Sequence, residues 1–438
     1  VEEGLRAAAM RLVLIADVFP PLRSSGAVQL RDLSKEFVRQ GHDVTVMVAA
    51  PELDRPWRLD TLHGVRVLRL RTPKTKDVSY IRRAFGELAM SFAMLRNLKR
   101  SPCANETWDG VIWYSPTIFL GPIAKALKSR SRCPSYLIIR DIFPEWAVDM
   151  GLMGRGLPYR VFKAVANYQY SVADVIGVQT PGNLAYFQAP SRGGSARLEV
   201  LHNWLADSPS IGCSVDISKT HLHGRKIFVY AGNMGIAQGM GILLDFAEQL
   251  KARSDIGFVF VGRGTDARRL RTDAKNRELH NVLFFDEIDP DEIPGLYAQC
   301  HVGLVALDPR HKTHNIPGKF LSYMQSSLPA LASVNDGNDL VELIREKGVG
   351  AVCTDNSAST LAQLAAELLT QIDHDATLPA RCKQLAQTMF DPAVTVETIT
   401  TALDYERQSI HSPLVKRPDF RGKAIAKEET APEYSPEL

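Results

Sequence analysis

The sequence predicts an α/β protein made of two doubly wound, Rossmann-like domains that face each other across a cleft. Three observations lead there. Short β-branched or Leu-rich runs alternate with longer helical patterns, the signature of a parallel sheet covered by helices on both faces. The rhythm breaks between Asn203 and Gly224, in a stretch of Pro, Ser, Gly and His without periodicity, and then restarts. Such a break suits an interdomain linker. Finally, 438 residues are too many for one ordinary domain and comfortable for two.

The first domain opens with a strand at Arg11–Asp17, a helix at Ala27–Gln40 closed by Gly41, and a strand at Asp43–Ala49. Strands at Val65–Leu70, Gly110–Tyr114, Tyr136–Arg140, Ala173–Gln179 and Leu198–Leu201 follow. After the linker the expected strands are Lys226–Ala231, Ile256–Val261, Val282–Phe285, Val302–Ala306, Ala330–Ser333 and Gly350–Cys353. This places the first domain at 10–205, the linker at 206–224 and the second domain at 225–390. Residues 411–438, charged and poor in apolar side chains, are expected to be a poorly ordered tail.

Composition excludes several classes. Lys plus Arg total 52 against 49 Asp plus Glu, a net +3, so the chain is not a globally basic nucleic-acid binder. It contains no run of about 18 uncharged apolar residues that could span a bilayer. Val1–Ala9 carries two Glu and no apolar h-region, so it does not read as a secretory signal; these residues are expected to be an extension ahead of Met10. Six widely separated cysteines without a C-x-x-C pair suggest reduced thiols in a cytoplasmic protein. One segment is strongly basic: from Arg66 to Arg100 there are ten Lys/Arg and two Asp/Glu. Its helical part, Tyr80–Arg100, also carries Ile81, Phe85, Leu88, Met90, Phe92, Met94, Leu95 and Leu98. Residues 74–100 therefore read either as a peripheral membrane contact, with the charge on anionic headgroups, or as a long helix with a solvated basic end.

Four clusters carry chemistry. Tyr230-Ala-Gly-Asn-Met-Gly and the glycines that follow sit at a strand-to-helix turn, and Val261-Gly-Arg-Gly-Thr-Asp repeats the design after the next strand. Free backbone N–H groups and small residues favour an anionic ligand there. In the first domain, Ser24, Ser25 and Gly26 open a helix and present hydroxyl and backbone donors to the cleft. Arg140, Asp141 and Glu145 belong to Ile139-Arg-Asp-Ile-Phe-Pro-Glu-Trp at the carboxyl edge of a strand, where open α/β sheets bind ligands. Lys319 lies just inside a helix after Pro317-Gly318 and can add a point charge to the field of that helix terminus around a diphosphate. Asp289-Pro-Asp291 has the D-x-D form of a metal–diphosphate signature, but it starts a helix, where Asp is a favoured cap; no metal site is expected.

Taken together these clusters resemble glycosyltransferase family four, retaining enzymes of the GT-B fold, over about residues 10–410. The similarity rests on Phe19-Pro-Pro with Gly26, Gly41-His-Asp-Val, Val200-Leu-His-Asn-Trp, Tyr230-Ala-Gly-Asn, Val261-Gly-Arg-Gly and Pro317-Gly-Lys with Leu328-Pro. Arg140-Asp-Ile-Phe-Pro-Glu and Gly232-Asn-Met-Gly-Ile-Ala-Gln-Gly are similar to the branch that includes bacterial O-antigen and N-acetyl-L-fucosamine transferases. Two departures stand out. The family's Arg and Lys at the donor diphosphate fall on Asn233 and Gln238, and its pair of Glu falls on His314 and Ser322. The resemblance also implies a last helix, 391–410, that returns to the first domain.

What the resemblance implies is transfer of a sugar, an N-acetylated hexosamine or deoxyhexosamine, from a UDP-sugar to a polyprenyl-diphosphate-linked acceptor. The setting would be O-antigen or capsule synthesis at the inner face of the cytoplasmic membrane, with no cofactor and no nucleic-acid partner. Gly232, Asn233, Gly235, Gln238, Arg263, His314, Lys319 and Ser322 would contact the donor. Ser24, Ser25, Gly26 and Arg140 would serve the acceptor side. Asp141 would orient or deprotonate the acceptor hydroxyl, with Glu145 second. Two rival readings are a UDP-sugar epimerase on the same scaffold and a noncatalytic nucleotide-sugar-binding subunit.

Overall fold

The computed structural model describes residues 8–75, 79–188, 195–207, 211–310 and 316–411. His314, part of the basic segment (76–78) and the tail beyond 411 lie outside the described residues. Among the described residues, fourteen strands form two sheets. The first sheet contains β1 (Arg11–Ala16), β2 (Asp43–Ala49), β3 (Trp57–Leu62), β4 (Val65–Leu70), β5 (Gly110–Ser115), β6 (Ser135–Ile139), β7 (Val175–Val178) and β8 (Arg197–Val200), in the order β3-β4-β2-β1-β5-β6-β7-β8. The second contains β9 (Lys226–Ala231), β10 (Ile256–Val261), β11 (Val282–Phe285), β12 (Val302–Ala306), β13 (Ala330–Ser333) and β14 (Gly350–Cys353), in the order β11-β10-β9-β12-β13-β14. Two such sheets, each with helices packed on it, make the GT-B architecture.

All pairings are parallel except β3 with β4. Central strands buried on both faces are continuous apolar runs, as in Leu12–Ala16 and Phe228–Ala231, which are fully or almost fully buried. β3 was not expected. Its sequence, Trp-Arg-Leu-Asp-Thr-Leu, mixes polar and apolar residues at the sheet edge and returns through a tight turn with His63 and Gly64 at positive φ. A half-exposed edge strand lacks the apolar run that marked its neighbours.

Strand order reverses between β1 and β5 in the first sheet and between β9 and β12 in the second. At such switch points the loops leave in opposite directions and open a crevice at the carboxyl ends of the strands. The loop after β1 and the loop after β9 thereby come to face each other.

The final helix, Pro392–His411, fixes that relation. Asp391 caps it by accepting from the Ala393 amide at 2.7 Å. Val396, Ile399, Ala402 and Leu403 are buried in one cluster with Leu12, Leu30, Phe37, Ile112 and Tyr136 of the first domain. At the hinge, Leu205 N donates to Phe390 O at 3.0 Å, and Trp204 Nε1 donates to Gln29 O at 2.6 Å. Leu403→Ala should cost about 2–4 kcal/mol, the usual range for emptying a buried leucine site. Denaturant unfolding followed by tryptophan fluorescence would read it in the transition of the first domain.

Candidate active site

The cleft between the sheets holds a cavity of about 460 Å³. Its floor is the β9 turn. Gly232, at φ +139, turns the chain toward Asn233, and Tyr230 Oη holds that turn by donating to Asn233 O at 2.6 Å. The β10 turn rests directly on it: Gly232 N donates to Val261 O at 2.9 Å, and Met234 N to Arg263 O at 2.8 Å. Gly262 makes this contact feasible, because a Cβ there would stand 2.0 Å from Gly232 O, and its φ is +145. The second glycine turn thus supports the first, rather than only repeating it. A 3-10 turn at Ile236–Gln238 comes before the helix Gly241–Gln249, so the Gly232–Asn233 backbone and not that helix start borders the cavity.

Lys319 occupies the second position of the helix Gly318–Gln325 and lines the cavity. Its Nζ lies 4.6 Å from the Tyr230 ring centroid, and its Cε is the atom that a Cβ on Gly232 would approach, at 3.8 Å. Among the described residues no acid pairs with it. Burial of the ammonium between the β9 turn and its own helix pushes its pKa down to about 8. A cation that is desolvated, unpaired and set beside helix N–H groups and a glycine turn is arranged to receive an anion.

The other residues singled out in the sequence divide into those that reach the cavity and those that do not. Gly232, Asn233, Arg263, Ser322, Ser24 and Ser25 line it with Lys319. Ser24 caps the helix Ser25–Arg39 by accepting from Ala27 N. Ser25 faces the opposite helix, since a Cβ on Gly318 would come within 2.9 Å of its Oγ. Two helix N-termini, one from each domain, therefore meet across the cleft. Arg263 is ion-paired with Glu287 at 2.9 Å, and most of its side chain is exposed. Ser322 Oγ donates to its own helix at Gly318 O.

Gln238 is turned to structure: its Oε1 accepts from Gly235 N at 3.0 Å and from Asn233 Nδ2 at 3.2 Å. Gly26 lies against Tyr114 and Val18, where a Cβ would be 3.3 Å from each. Arg140 is buried, with its guanidinium 4.4 Å from the Trp204 ring centroid and Nη1 donating to Leu201 O at 3.1 Å. Desolvation lowers its pKa to about 10. It braces the segment Leu201–Trp204, and Trp204 lines the cavity. Asp141, the next residue, is exposed at the carboxyl edge of β6 but is not among the cavity-lining residues. Glu145 lies outside the cavity too, bonded to Lys163 and to Tyr159 Oη.

Cavity residues absent from the sequence reading include Arg23, Arg31, Ile288, Tyr297 and Gln325. Most come from loop or helix positions with no local signal. Asp289-Pro-Asp291 forms a 3-10 turn in which Asp289 accepts from Asp291 N at 3.1 Å, a cap as expected.

A family described as "Glycosyl transferase 4-like domain" matches residues 26–204 and "Glycosyl transferases group 1" matches residues 225–371. The chain belongs to the GT-B glycosyltransferases of family four. Probable glycosyltransferase WbjE of Pseudomonas aeruginosa is 25% identical over 237 residues, which span 53% of this chain and 59% of that protein. The putative colanic acid biosynthesis glycosyl transferase WcaI of Escherichia coli K12 is 27% identical over 286 residues, 60% of this chain and 69% of that one. Among solved structures, sucrose-phosphate synthase from Thermosynechococcus elongatus superposes with a TM-score of 0.70 at 14% identity, covering 92% of this chain and all (100%) of that one. HepE from Anabaena, in complex with UDP-glucose, gives a TM-score of 0.65 at 18% identity, covering 90% and 100%. At these identities the solved structures establish a common fold.

Gly262→Ala tests the stacked turns. The added methyl has no room against Gly232 O, so we expect a loss of about 3 kcal/mol or more, and a lower thermal midpoint of the second domain in calorimetry.

Proposed function

We propose that the protein transfers a sugar, an N-acetylated hexosamine or deoxyhexosamine, from a UDP-sugar to a polyprenyl-diphosphate-linked acceptor, with retained configuration, during synthesis of a surface polysaccharide. The observation that carries this reading is Lys319, half-buried over Tyr230 beside the Gly232 turn. The HepE complex with UDP-glucose and the colanic acid assignment of WcaI support the donor and the pathway class. Departure of the nucleoside diphosphate develops negative charge on its β-phosphate. Lys319, the Gly232–Asn233 backbone and the facing helix ends at Ser25 and Gly318 would stabilise that charge. The sugar carbon passes through an oxocarbenium-like state. Asp141, exposed at the carboxyl edge of β6, would orient the acceptor hydroxyl or take its proton.

Three consequences are measurable. Lys319→Ala should weaken UDP binding and sugar transfer together, by about tenfold or more, as expected for a lost charge-assisted bond. In the wild type, UDP affinity should fall as the pH rises above about 8. The free lysine loses its proton there, whereas the bound diphosphate holds it. Lys319→Ala should show no such decline. Asp141→Asn should leave UDP affinity intact and lower turnover by about 10²–10⁴-fold, the range of general acid–base contributions.

The acceptor reading is supported by a surface of the first domain. The helix Tyr80–Leu98 exposes Phe85, Leu88 and Phe92, and the helix Leu157–Val172 exposes Leu157, Val161 and Tyr168. Both pack onto Phe119: Ser91 Oγ donates to Phe119 O, and the Phe119 and Phe162 rings meet edge to face at 6.3 Å. Exposed Arg82, Arg83, Arg155 and Arg160 lie on or beside these helices. Aromatic and aliphatic side chains ringed by cations suit a peripheral contact with an anionic leaflet, where a lipid-linked acceptor would be found. Among the described residues no helix is long and apolar enough to cross a membrane. Phe85→Ser/Phe92→Ser should reduce co-sedimentation with phosphatidylglycerol vesicles several-fold and leave UDP affinity unchanged.

A further inference from the structure

Four cationic side chains line the cavity among the described residues: Arg23, Arg31, Arg263 and Lys319. They are not equivalent. Arg263 is held by Glu287. Arg31 is held by two carboxylates, Asp32 at 2.9 Å and Asp291 at 3.3 Å, and only 19% of its side chain is exposed. Arg23 pairs with Asp289 at 3.1 Å and is 55% exposed. Both Asp289 and Asp291 belong to the second domain, so these two arginines bridge the cleft from the first. A nucleoside diphosphate brings several negative charges into the cavity, and among the described residues Lys319 is the one lining cation without an acidic partner. Further positive charge for the diphosphate is at hand in the lining arginines, if one exchanges its carboxylate for a phosphate.

We propose that Arg23 is a donor-phosphate ligand that rests on Asp289 when the cleft is empty and transfers to the diphosphate when the donor binds. Arg23 immediately precedes Ser24 and Ser25, the helix start that faces Gly318 and Lys319. A guanidinium anchored there needs only side-chain rotation to leave the Asp289 carboxylate. Phosphate oxygens match its planar fork and carry more charge than a carboxylate does. Asp289 is not stranded by the exchange. It remains half exposed and keeps its capping bond to Asp291 N. Arg31, clamped by Asp32 and Asp291, keeps the domains together meanwhile. The donor would then replace one interdomain ion pair with a bridge through itself, binding the second domain by Lys319 and the first by Arg23.

This inference rests on the donor reading above, and one binding experiment separates the two. UDP and uridine affinities are measured by calorimetry and by ligand-observed NMR for the wild type, Arg23→Gln, Asp289→Asn, the double variant and Lys319→Ala. Asn is as good a helix cap as Asp, so Asp289→Asn removes the competing charge without the turn. We expect Arg23→Gln to weaken UDP by about tenfold and leave uridine unchanged. Asp289→Asn should tighten UDP several-fold, and the double variant should resemble Arg23→Gln. If Arg23 only ties the domains together, Arg23→Gln and Asp289→Asn will shift UDP in the same direction, and the proposal fails. It fails equally if Arg23→Gln leaves UDP binding unchanged or weakens uridine as much. Unchanged UDP affinity in Lys319→Ala would instead overturn the donor reading itself. Retained uridine binding certifies that each variant is folded.

Discussion

A half-buried ammonium group set over an aromatic ring at the wall of the cavity is the constraint around which this cleft is organised. Lys319 sits over Tyr230 with no acidic partner among the described residues, and burial has already lowered its proton affinity. Leaving a charge so poorly solvated opposes folding, and the surroundings show what holds it there. The helix Gly318–Gln325 carries it, Tyr230 both underlies it and ties down Asn233, and Gly262 packs the neighbouring turn beneath. A diphosphate entering the cleft would remove that cost, so part of the affinity is prepared before the ligand arrives.

The same logic explains why two domains are needed. Each sheet places a loop at its own switch point, yet neither loop encloses a nucleotide alone. The return of Pro392–His411 onto the first domain and the Leu205–Phe390 hinge bond set the two edges face to face. Ser25 and Gly318 then approach closely, with Ser25 Oγ 2.9 Å from where a Cβ on residue 318 would stand. Packing at a distance from the chemistry thereby controls how the helix ends converge.

Much of this was legible in the sequence. The strands of the second domain fall where their apolar runs predicted, and Lys319 could be placed because Pro317-Gly318 marks a helix start. Glycine turns after β9 and β10 were also visible, although the sequence could not show that Gly262 serves the turn beneath it. What stayed hidden has a common physical cause. β3 mixes polar with apolar residues because it lies half-exposed at the sheet edge. Arg140 occupies the expected strand end, but its side chain points inward to Trp204, a direction that spacing does not reveal. Glu145 is drawn away by Lys163 from a helix later in the chain. The ion pairs Arg23–Asp289 and Arg31–Asp291 join residues far apart in sequence, and no local pattern announces them.

The most direct measurement is the protonation of Lys319 itself, followed by NMR on protein with ¹³C-labelled lysine, with and without UDP. The account predicts a midpoint near 8 in the free protein that moves up by about one to three pH units with UDP, as an adjacent opposite charge should cause. A midpoint that UDP leaves in place would contradict it, because the diphosphate would then be seated elsewhere.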